Sequence, residues 1–473
     1  MKKSIYAILA IAALVCACNT KEEYTPEEAT EGIPFVATVQ SEAYTRAVAE
    51  SGGDITVNFA ESETIALVYE VSSTPYKTDA TITSVDGSGK ATITATLQTG
   101  VTDGTAVTLI YPASAADGTT GNVLASALSA QDGTLSAARD VRKGTGTIKV
   151  DGTASLASGA TLEAQYAICK FEVEDVDGSN SVYVSSFVVK DASDNVITTV
   201  TPGSATSTLY VALPATSGLI WFEAVASDKP YVAKGTASLT AGNFYTPTVR
   251  MATIFNVIGQ NGKFYKDKAD AVAASTTAAA IIAYVGNGTA ESGYSHGLAI
   301  AMKNALNGTY STMRWRESGS GVDNAGQYVA TYYALGAQES GLTISSTKNN
   351  STYPAFQAAI ANSIALVDGI SKSAPSGTSG WFLASAYQWN QIIKSMAGSA
   401  TDLSETTNNN LKKDAFNSYL SAAGIDYSAM NETYYWTSTE YDASYCWRYE
   451  PGSGRLYWSG KTVYQAVRST LAF

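Results

Sequence analysis

The sequence predicts a multidomain protein in which an all-β region of two β-sandwiches precedes an α+β domain. From residue 54 to about residue 251, short runs rich in β-branched and aromatic residues alternate with Gly, Ser, Asp and Asn turns. Their apolar residues recur with period two, as in Ile55, Val57 and Phe59. After residue 251 the composition changes, because six of the seven tryptophans lie there and helical periodicity appears.

The all-β region divides near residue 160, and the α+β domain begins at residue 252. Antiparallel sandwiches of about a hundred residues each suit the spacing of the strand runs. In the α+β region, apolar spacing predicts helices at residues 267–282, 325–337, 353–367, 385–396 and 410–423, with strands at both ends. The predicted folded domains are therefore 51–160, 161–251 and 252–473.

The N-terminus has the features of an export signal. Two lysines precede an apolar run over residues 5–15, which is shorter than the ~20 residues that a membrane helix needs. The run ends in Val15-Cys16-Ala17-Cys18, which resembles a bacterial lipobox. The resemblance implies a signal peptide over residues 1–17, acylation of Cys18 and a lipid anchor in the cell outer membrane. An ordinary secretory signal is the alternative.

Residues 18–50 are polar and acidic, and we expect them to form a tether or propeptide. With Cys16 removed and Cys18 acylated, the remaining cysteines are Cys169 and Cys446, so we expect no disulfide framework in the exported domains. The net charge of −12 argues against a nucleic-acid partner. These features predict an acidic surface protein that is stabilised by burial of apolar side chains.

Residues 434–473 combine a predicted core with a predicted binding face. Large apolar side chains are stabilised by roughly 2–3 kcal/mol each when they are hidden from water. On that basis the expected core residues are Trp436, Trp447, Val467, Leu471 and Phe473. Between them lies a mixture of tyrosine, arginine and small polar residues that binding surfaces favour, because tyrosine offers contact area at low entropic cost. A half-buried strand position is the alternative for any single tyrosine. The residues expected to form the ligand-binding face are Tyr441, Asp442, Tyr445, Arg448, Tyr449, Glu450, Arg455, Tyr457, Thr462, Tyr464 and Gln465.

The first 250 residues resemble fimbrillins, the type V pilus subunits of anaerobic Gram-negative bacteria. The matching features are the lipobox, the acidic leader, the step Thr45-Arg46-Ala47, the strand FAESETIALVYEV at 59–71 and the closing strand LTAGNFYTPTVRM at 239–251. The glycine of the family's first strand motif is absent here. The resemblance implies two transthyretin-like β-sandwiches, proteolytic cleavage between Arg46 and Ala47, and donor-strand exchange with other pilus subunits. A surface arginine in a flexible leader is the alternative.

Residues 252–473 resemble C-type-lectin-like domains, in particular the variable proteins of diversity-generating retroelements. The matching segments are GKFYKDKADAVAASTTAAAIIAYVG at 262–286, GLAIAMKNA at 297–305, GWFLASAYQWNQII at 380–393 and YYWTSTEY at 434–441. In that family the terminal strands form a stiff scaffold whose solvent-facing side chains bind a ligand. The resemblance implies an α+β, C-type-lectin-like domain whose binding face is diversified by a retroelement.

Cys446 has two interpretations. In the retroelement family, adenine-directed mutagenesis of codons such as AAC yields Tyr, Asp, Ser, Gly, Arg, Thr or Cys, and most of the predicted face residues belong to that set. Cys446 is then a sampled surface residue. Alternatively it is a small buried hydrophobic residue, since cysteine is among the residue types most often buried.

Catalysis is not expected. His296 is the one histidine of the chain and lies in Gly-Tyr-Ser-His-Gly, which is typical of a loop. Glu440 and Asp442 are spaced to share one face of a strand, and paired carboxylates can act in acid/base catalysis, but a solvated face is the simpler interpretation. We therefore expect no catalytic residue, no metal site and no cofactor.

Together these features predict a surface lipoprotein or fimbria-associated adhesin that binds an unknown extracellular protein or glycan. A tip or capping role is expected, because the lectin-like domain occupies the end from which a stalk subunit would donate its strand. Two alternatives remain open. One is a lipid-anchored surface receptor that is never assembled, and the other is a purely structural pilus subunit whose aromatic end is only core.

Overall fold

The computed structural model describes residues 32–41, 47–51, 54–56, 59–135, 140–319, 339–422, 430 and 432–473, and these residues are predominantly β. Three bodies follow one another: a β-barrel, a β-sandwich and an α+β domain. Cys18, Arg46 and the helix predicted at 325–337 lie outside the described residues, as does the side chain of Ala47. None of the α-helices within the described ranges has the length and apolar character that crossing a bilayer requires.

The first body is a β-sheet that closes on itself. The strands in this part of the chain are β1 (Ile33–Ser41), β2 (Ala47–Ser51), β3 (Asp54–Thr56), β4 (Thr64–Val71), β5 (Thr74–Val85), β6 (Ala91–Leu97), β7 (Ala106–Tyr111), β8 (Ala130–Gln131), β9 (Arg142–Asp151), β10 (Thr153–Leu156) and β11 (Ala160–Ala164). The sheet order is β10-β1-β11-β9-β7-β4-β5-β6, and β1 also pairs with β6. The eight strands therefore form a closed barrel, while β2 pairs with β3.

Strand β1 is the closing strand of this barrel. It pairs antiparallel with β6 over residues 33–39 and parallel with β10 and β11 on its other side. Its alternate residues Phe35, Ala37 and Val39 are only 1%, 7% and 0% exposed. The prediction that residues 18–50 form a tether is therefore wrong for 33–41, because the period-two pattern of IPFVATVQS places one apolar face in the barrel core.

The second body is a sandwich of two sheets. Its strands are β12 (Ala167–Asp175), β13 (Ser186–Asp191), β14 (Val196–Val200), β15 (Thr208–Leu213), β16 (Thr216–Ala226), β17 (Lys229–Leu239), β18 (Phe244–Tyr245) and β19 (Thr248–Met251). One sheet has the order β17-β16-β13-β14-β8, and in the other β12 lies between β15 and the pair β18 and β19. The rings of Phe171, Phe187 and Phe222 meet in the core with centroids 5.4 to 5.5 Å apart.

The predicted boundary near residue 160 is displaced in the structure. Strand β11 pairs with β9 and belongs to the barrel, whereas β8, which precedes it in the chain, pairs with β14 of the sandwich. The short strand β8 therefore leaves the barrel part of the chain and joins a sheet of the sandwich, a placement that local sequence patterns do not reveal.

The third body is an α+β domain with two sheets. Its elements are β20 (Val257–Gly259), β21 (Phe264–Tyr265), α1 (Lys268–Ala273), β22 (Ala278–Val285), β23 (Gly297–Ala301), β24 (Thr312–Arg314), α2 (Gly341–Thr347), α3 (Pro354–Ala361), β25 (Phe382–Leu383), α4 (Ala386–Ala397), α5 (Asp414–Ala422), β26 (Tyr435–Glu440), β27 (Tyr445–Glu450), β28 (Arg455–Gly460), β29 (Tyr464–Ala466) and β30 (Ser469–Ala472). One sheet has the order β21-β20-β22-β23-β30-β25 and the other β24-β29-β26-β27-β28. This part of the chain combines helices with strands, and within the described residues the chain as a whole is predominantly β.

Helix α4 supports the five-stranded sheet. It begins with a capping box: the Ser385 hydroxyl accepts a hydrogen bond from the backbone N–H of Gln388, and the Gln388 side chain accepts one from the backbone N–H of Ser385. The helix ends at Gly398, which has φ of 60°. On its buried face the Trp389 ring lies 5.6 Å from the Tyr449 ring of β27. The helix predicted at 385–396 is therefore confirmed, and it packs directly beneath the C-terminal hairpin.

The other helix predictions are only partly confirmed. Helices α3 and α5 are shorter than predicted. The second half of the helix predicted at 267–282 is wrong, because AAAIIAYV forms strand β22 between β20 and β23. The run is buried on nearly every residue, and a continuous apolar stretch does not distinguish a buried strand from a buried helix.

The sandwich and the α+β domain share one packed junction. The His296 ring stacks on Trp221 of β16 with centroids 3.8 Å apart, and His296 Nδ1 lies 2.9 Å from Glu223 Oε1. Two backbone hydrogen bonds of 2.8 Å join Val232 of β17 to Ala252. Because apolar residues of both bodies form one cluster, the α+β domain is mounted directly on the sandwich.

The predicted core of the C-terminal segment is confirmed. Trp436, Val467 and Leu471 are 0% exposed, Trp447 is 2% exposed and Phe473 is 1% exposed. Strand β30 pairs with β23 on one side and β25 on the other, so it is an interior strand of its sheet. The aromatic and apolar residues at these positions therefore stabilise the domain and leave their neighbours to form its surface.

Candidate ligand-binding surface

The candidate site is built on the hairpin of β27 and β28. Glu450 pairs with Arg455 and Trp447 pairs with Trp458, and β28 is the outer strand of its sheet. The turn between the strands requires Gly454, which has φ of 63° and packs so closely on the Asn408 carbonyl that a side chain does not fit. Since side chains alternate along a strand, this register divides the hairpin residues between two faces.

An exposed aromatic cluster surrounds Trp458 at the outer edge of the hairpin, and it includes Tyr457 from the other face of the same strand. The Trp458 ring lies 5.7 Å from the Tyr441 ring, 4.7 Å from the Tyr445 ring and 5.2 Å from the Tyr457 ring. Tyr445 is 36% exposed, and the other three side chains are half-buried. We refer to Tyr441, Tyr445, Tyr457 and Trp458 as the hairpin surface. These rings support one another, so they present aromatic faces and edges without a large loss of rotamer freedom on binding.

Asp442 shapes the approach to this surface. Its carboxylate accepts hydrogen bonds from the backbone N–H groups of Ser444, at 2.7 Å, and Tyr445, at 2.9 Å. The bonds fix the turn between β26 and β27 and so set the position of Tyr445. Thr462 lies exposed in the turn between β28 and β29.

The opposite face of the hairpin is organised around Arg448. Its guanidinium carbon lies 3.5 Å from the centroid of the Tyr434 ring, and its NH2 group donates to Glu450 at 2.8 Å. In the amide orientation that satisfies both groups, Gln465 accepts a further bond from Arg448 at 3.0 Å. Burial alone would raise the pKa of Glu450, but hydrogen bonds from Arg455 and Arg448 outweigh burial and lower that pKa below its usual value.

Two further arginines stack on tyrosines of the same sheet. The Arg455 guanidinium lies 4.6 Å from the Tyr457 ring and donates to Glu450 at 2.6 Å. The Arg314 guanidinium of β24 lies 5.0 Å from the ring of Tyr464, which is 56% exposed. The sheet therefore offers rigid, cationic and aromatic groups to a ligand, a combination that supports stacking and forked hydrogen bonding.

Three of the predicted face residues do not face solvent. Tyr449 is 0% exposed, and its hydroxyl donates to the Leu411 carbonyl at 2.7 Å. Glu450 is 5% exposed and Gln465 is 3% exposed. The prediction that Tyr449, Glu450 and Gln465 form part of the exposed face is wrong, because strand alternation turns Tyr449 into the core and the arginines cover the other two.

The remaining predicted residues are partly or fully accessible, but they do not share one plane. Tyr441, Tyr445 and Tyr457 belong to the hairpin surface, and Asp442 and Thr462 lie in turns. By the strand register, Arg448 and Arg455 share the face of Tyr457, whereas Tyr464 lies on β29 and points to the other face.

Sequence reasoning missed three residues of this region: Trp458, Tyr434 and Arg314. Trp458 could have been found from the turn PGSG, since placing that turn in a hairpin pairs Trp447 with Trp458. Tyr434 and Arg314 are placed by tertiary contacts with distant strands, for which the local sequence carries no signal.

Cys446 is buried in the core. It is 0% exposed and shares a cluster with Trp436, Met313 and Val467. The interpretation as a small hydrophobic residue is therefore confirmed, and the interpretation as a surface residue is wrong.

A buried polar cluster lies beneath the sheet. Glu440 and Lys461 form an ion pair with side chains that are 0% and 1% exposed. Nearby, Glu339 accepts a hydrogen bond from Thr439. Burial raises the pKa of Glu339 to about 7 in spite of the Thr439 bond, and the neighbouring Glu440 adds to the increase. Glu440 and the turn residue Asp442 are therefore in different environments and do not form an exposed carboxylate pair.

A second polar cluster lies at the junction with the sandwich. Asp194, Glu223 and His296 are close enough for one atom of each to contact a single metal ion. However, Lys190 Nζ lies 2.9 Å from Asp194 Oδ1 and 2.8 Å from Glu223 Oε1, so a cation is already present between the carboxylates. The geometry is that of an ion-pair network which joins the two bodies.

Three solved structures show distant likeness to this chain. A fimbrial protein from Bacteroides ovatus is 14% identical, with a TM-score of 0.33 and coverage of 94% of this chain and 99% of that chain. A candidate cell adhesion protein from the same species is 13% identical, with a TM-score of 0.30 and coverage of 47% and 96%. The shaft pilin of Lactobacillus rhamnosus is 12% identical, with a TM-score of 0.23 and coverage of 47% and 98%. No family model and no curated protein matches the chain.

Proposed function

We propose that this protein is a surface adhesin whose α+β domain binds an extracellular protein or glycan through the hairpin surface. The observation that supports the proposal is the cluster of mutually packed, partly exposed rings around Trp458. Aromatic side chains that are already held in place lose little entropy when a ligand stacks on them, and such residues dominate binding energy at interfaces. The stacked arginines beside this cluster add directional hydrogen bonding.

The proposal is tested with arrays of glycans and secreted proteins. The variant Tyr445→Ala/Tyr457→Ala/Trp458→Ala should lose the binding that the unaltered chain shows. The matched control replaces by alanine Tyr183 of the sandwich and Tyr310, which precedes β24 at the sheet edge opposite β28; they are 60% and 73% exposed. Equal binding by the hairpin variant and the unaltered chain would favour the structural-subunit alternative, in which the aromatic end is only core.

A second role is supported by strand β1. We propose that the segment ending at Arg46 is a removable leader, and that after cleavage between Arg46 and Ala47 another subunit supplies a strand in place of β1. The support is that β1 alone bridges β6 to β10 and β11 within the described barrel, so its loss would expose two unpaired strand edges and the pockets of Phe35 and Val39. Such edges accept an added strand through backbone hydrogen bonds.

Strand exchange is tested by hydrogen exchange on the cleaved chain. After digestion by an arginine-specific protease and confirmation of an N-terminus at Ala47, an added peptide with the sequence of 33–41 should protect the amides of β6 and β11. The Arg46→Ala chain is the control and should not take up the peptide in the barrel. Uptake of equal extent by both chains would contradict the role of the cleavage.

The location and the place in an assembly are further proposals. We propose lipid anchoring through Cys18 at the outer membrane and a tip role, in which the chain accepts a strand without donating one. Mass spectrometry of surface material separates the two states, since an acylated Cys18 indicates a stand-alone receptor and an N-terminus at Ala47 indicates assembly. Growth of pilin chains beyond this subunit would contradict the tip role.

Diversification of the hairpin surface by a retroelement is a separate proposal. It is supported by the residue types at Tyr441, Tyr445 and Tyr457, which an AAC codon supplies after adenine mutagenesis. A near-identical repeat beside a reverse transcriptase gene, with mismatches only at template adenines, is the expected genomic finding. A locus without such a repeat would leave a binding surface of fixed sequence.

A further inference from the structure

The second body contains an apolar cleft that the hairpin surface and the barrel do not involve. It opens between β17 on one sheet and β18 and β19 on the other, and its volume is about 430 Å³. Apolar residues of both sheets line it, so a docked side chain would leave water for a hydrocarbon environment. The residues that the argument uses are Phe171, Phe222, Ala237 and Val249.

Strand β17 presents a backbone edge to this cleft. It is the outer strand of its sheet, and Val232 exchanges hydrogen bonds with Ala252 on the side away from β16. Backbone groups of alternate strand residues point in the same direction. Lys234, Thr236 and Ser238 therefore turn their N–H and C=O groups toward the open side, where a guest strand can continue the pairing that Ala252 begins.

One cationic side chain, that of Arg250, lies at the rim of the cleft. Lys234 contributes its backbone only, because its side chain pairs with Trp221 and packs over the Trp221 and Phe264 rings on the opposite face of the sheet. Arg250 of β19 is well exposed at 61% and makes a 3.7 Å ion pair with Glu174. An exposed arginine beside an apolar floor favours a guest that carries acidic residues next to apolar ones.

The leader segment of this chain has that chemistry. Glu27, Glu28 and Glu31 directly precede β1. Within β1, Phe35 and Val39 lie on the apolar side of an alternating pattern. A strand of this kind can place its apolar residues on the cleft floor, pair its backbone with β17 and bring its glutamates to the rim.

We propose that the cleft of the sandwich is a second strand-acceptor site, and that its occupant is the leader segment, residues 27–41, of a second copy of this chain. The proposal rests on the strand exchange proposed above, because a leader becomes available only after it leaves its own barrel. Docking at the cleft would hold a displaced leader between neighbouring subunits and add a contact beside the exchanged strand.

The test uses the uncut Arg46→Ala chain, in which β1 stays in the barrel, and a fluorescent peptide of residues 27–41. We expect saturable binding by fluorescence anisotropy and slower hydrogen exchange at Lys234, Thr236 and Ser238. A peptide of the same composition in which the alternation is scrambled should bind at least tenfold more weakly.

A charge-reversal experiment distinguishes loss of the binding site from loss of the fold. Arg250→Glu should weaken binding at least tenfold, and a peptide with lysine in place of the three glutamates should bind that variant better than it binds the unaltered rim. Protection confined to β6 and β11 would overturn the cleft proposal and support exchange in the barrel. Absence of peptide binding, or equal binding by the unaltered chain and Arg250→Glu, would also overturn it. Neither result bears on strand exchange in the barrel, which the hydrogen-exchange experiment on the cleaved chain tests.

Discussion

The guanidinium group of Arg448 lies over the ring of Tyr434, with 3.5 Å between the guanidinium carbon and the ring centroid. The same group donates to Glu450, which also binds Arg455. The ring contact and the hydrogen bond together restrain the Arg448 side chain. The charged residues on this side of the hairpin are therefore held in place and are not mobile surface charges. That rigidity also holds strand β28, which carries Tyr457 and Trp458.

Arg448→Lys should destabilise the domain although it conserves the charge. Lysine cannot stack on Tyr434 or make forked hydrogen bonds, so we expect a loss of about 1–2 kcal/mol in the free energy of unfolding. Chemical denaturation measures the effect. Arg314→Lys is the control, since the Arg314 side chain is 34% exposed and should cost less than about 0.5 kcal/mol. Equal losses in the two variants would contradict a special role of the Arg448 contacts.

Tyr449→Phe separates core from surface. The hydroxyl of this buried tyrosine donates to the Leu411 carbonyl, and its removal should lower the free energy of unfolding by about 1 kcal/mol. Binding to any ligand of the hairpin surface should stay unchanged, because Tyr449 is 0% exposed. A variant with normal stability and impaired binding would show that Tyr449 reaches the ligand after all.

The buried ion pair of Glu440 and Lys461 should show strong coupling. Lys461→Met removes the cationic partner of a carboxylate that is 0% exposed, and we expect a loss of about 3–5 kcal/mol. Combining it with Glu440→Leu should restore part of that loss, since no buried charge then lacks its partner. Thermal unfolding of the two single variants and the double variant checks this, and additive losses would be the contrary result.

Glu339 should make stability depend on pH. Its pKa in the folded protein is about 7, whereas a glutamate in an unfolded chain titrates near 4.3. Between these values the folded state keeps a proton that the unfolded state has lost. Stability therefore falls as pH rises toward 7, by up to about 3 kcal/mol.

Glu339→Gln removes this titration, so the variant should gain stability relative to the unaltered chain as pH rises from 4 to 8. Urea unfolding at several pH values measures the difference. Glu317→Gln, at an exposed position, is the control and should show no pH-dependent gain. A difference between Glu339→Gln and the unaltered chain that stays constant across the range would contradict the buried-carboxyl explanation.

The sequence predicted local patterns well and long-range placement poorly. The capping box at Ser385 and the apolar alternation of the sandwich strands are encoded by neighbouring residues, and both are found in the structure. The alternation of Phe35, Ala37 and Val39 was equally visible, but the acidic composition around it suggested a tether.

In the candidate site the limiting factor was register. Tyrosine content identified the right hairpin, yet only the pairing of Trp447 with Trp458 shows that Tyr449 points inward and that Trp458 joins the surface. Burial at Tyr449 depends on helix α4, which lies about fifty residues earlier in the chain. Composition alone therefore could not assign each tyrosine to core or surface.

The most direct test of the proposed function is the dissociation constant of the strongest binder from the arrays, measured for single variants of the hairpin surface. We expect Tyr445→Ala and Trp458→Ala each to weaken binding about tenfold or more, which corresponds to about 1.4 kcal/mol. Tyr183→Ala and Tyr449→Phe should leave the constant unchanged. Unaltered affinity in both hairpin variants, or an equal loss in Tyr183→Ala, would contradict ligand binding at the hairpin surface.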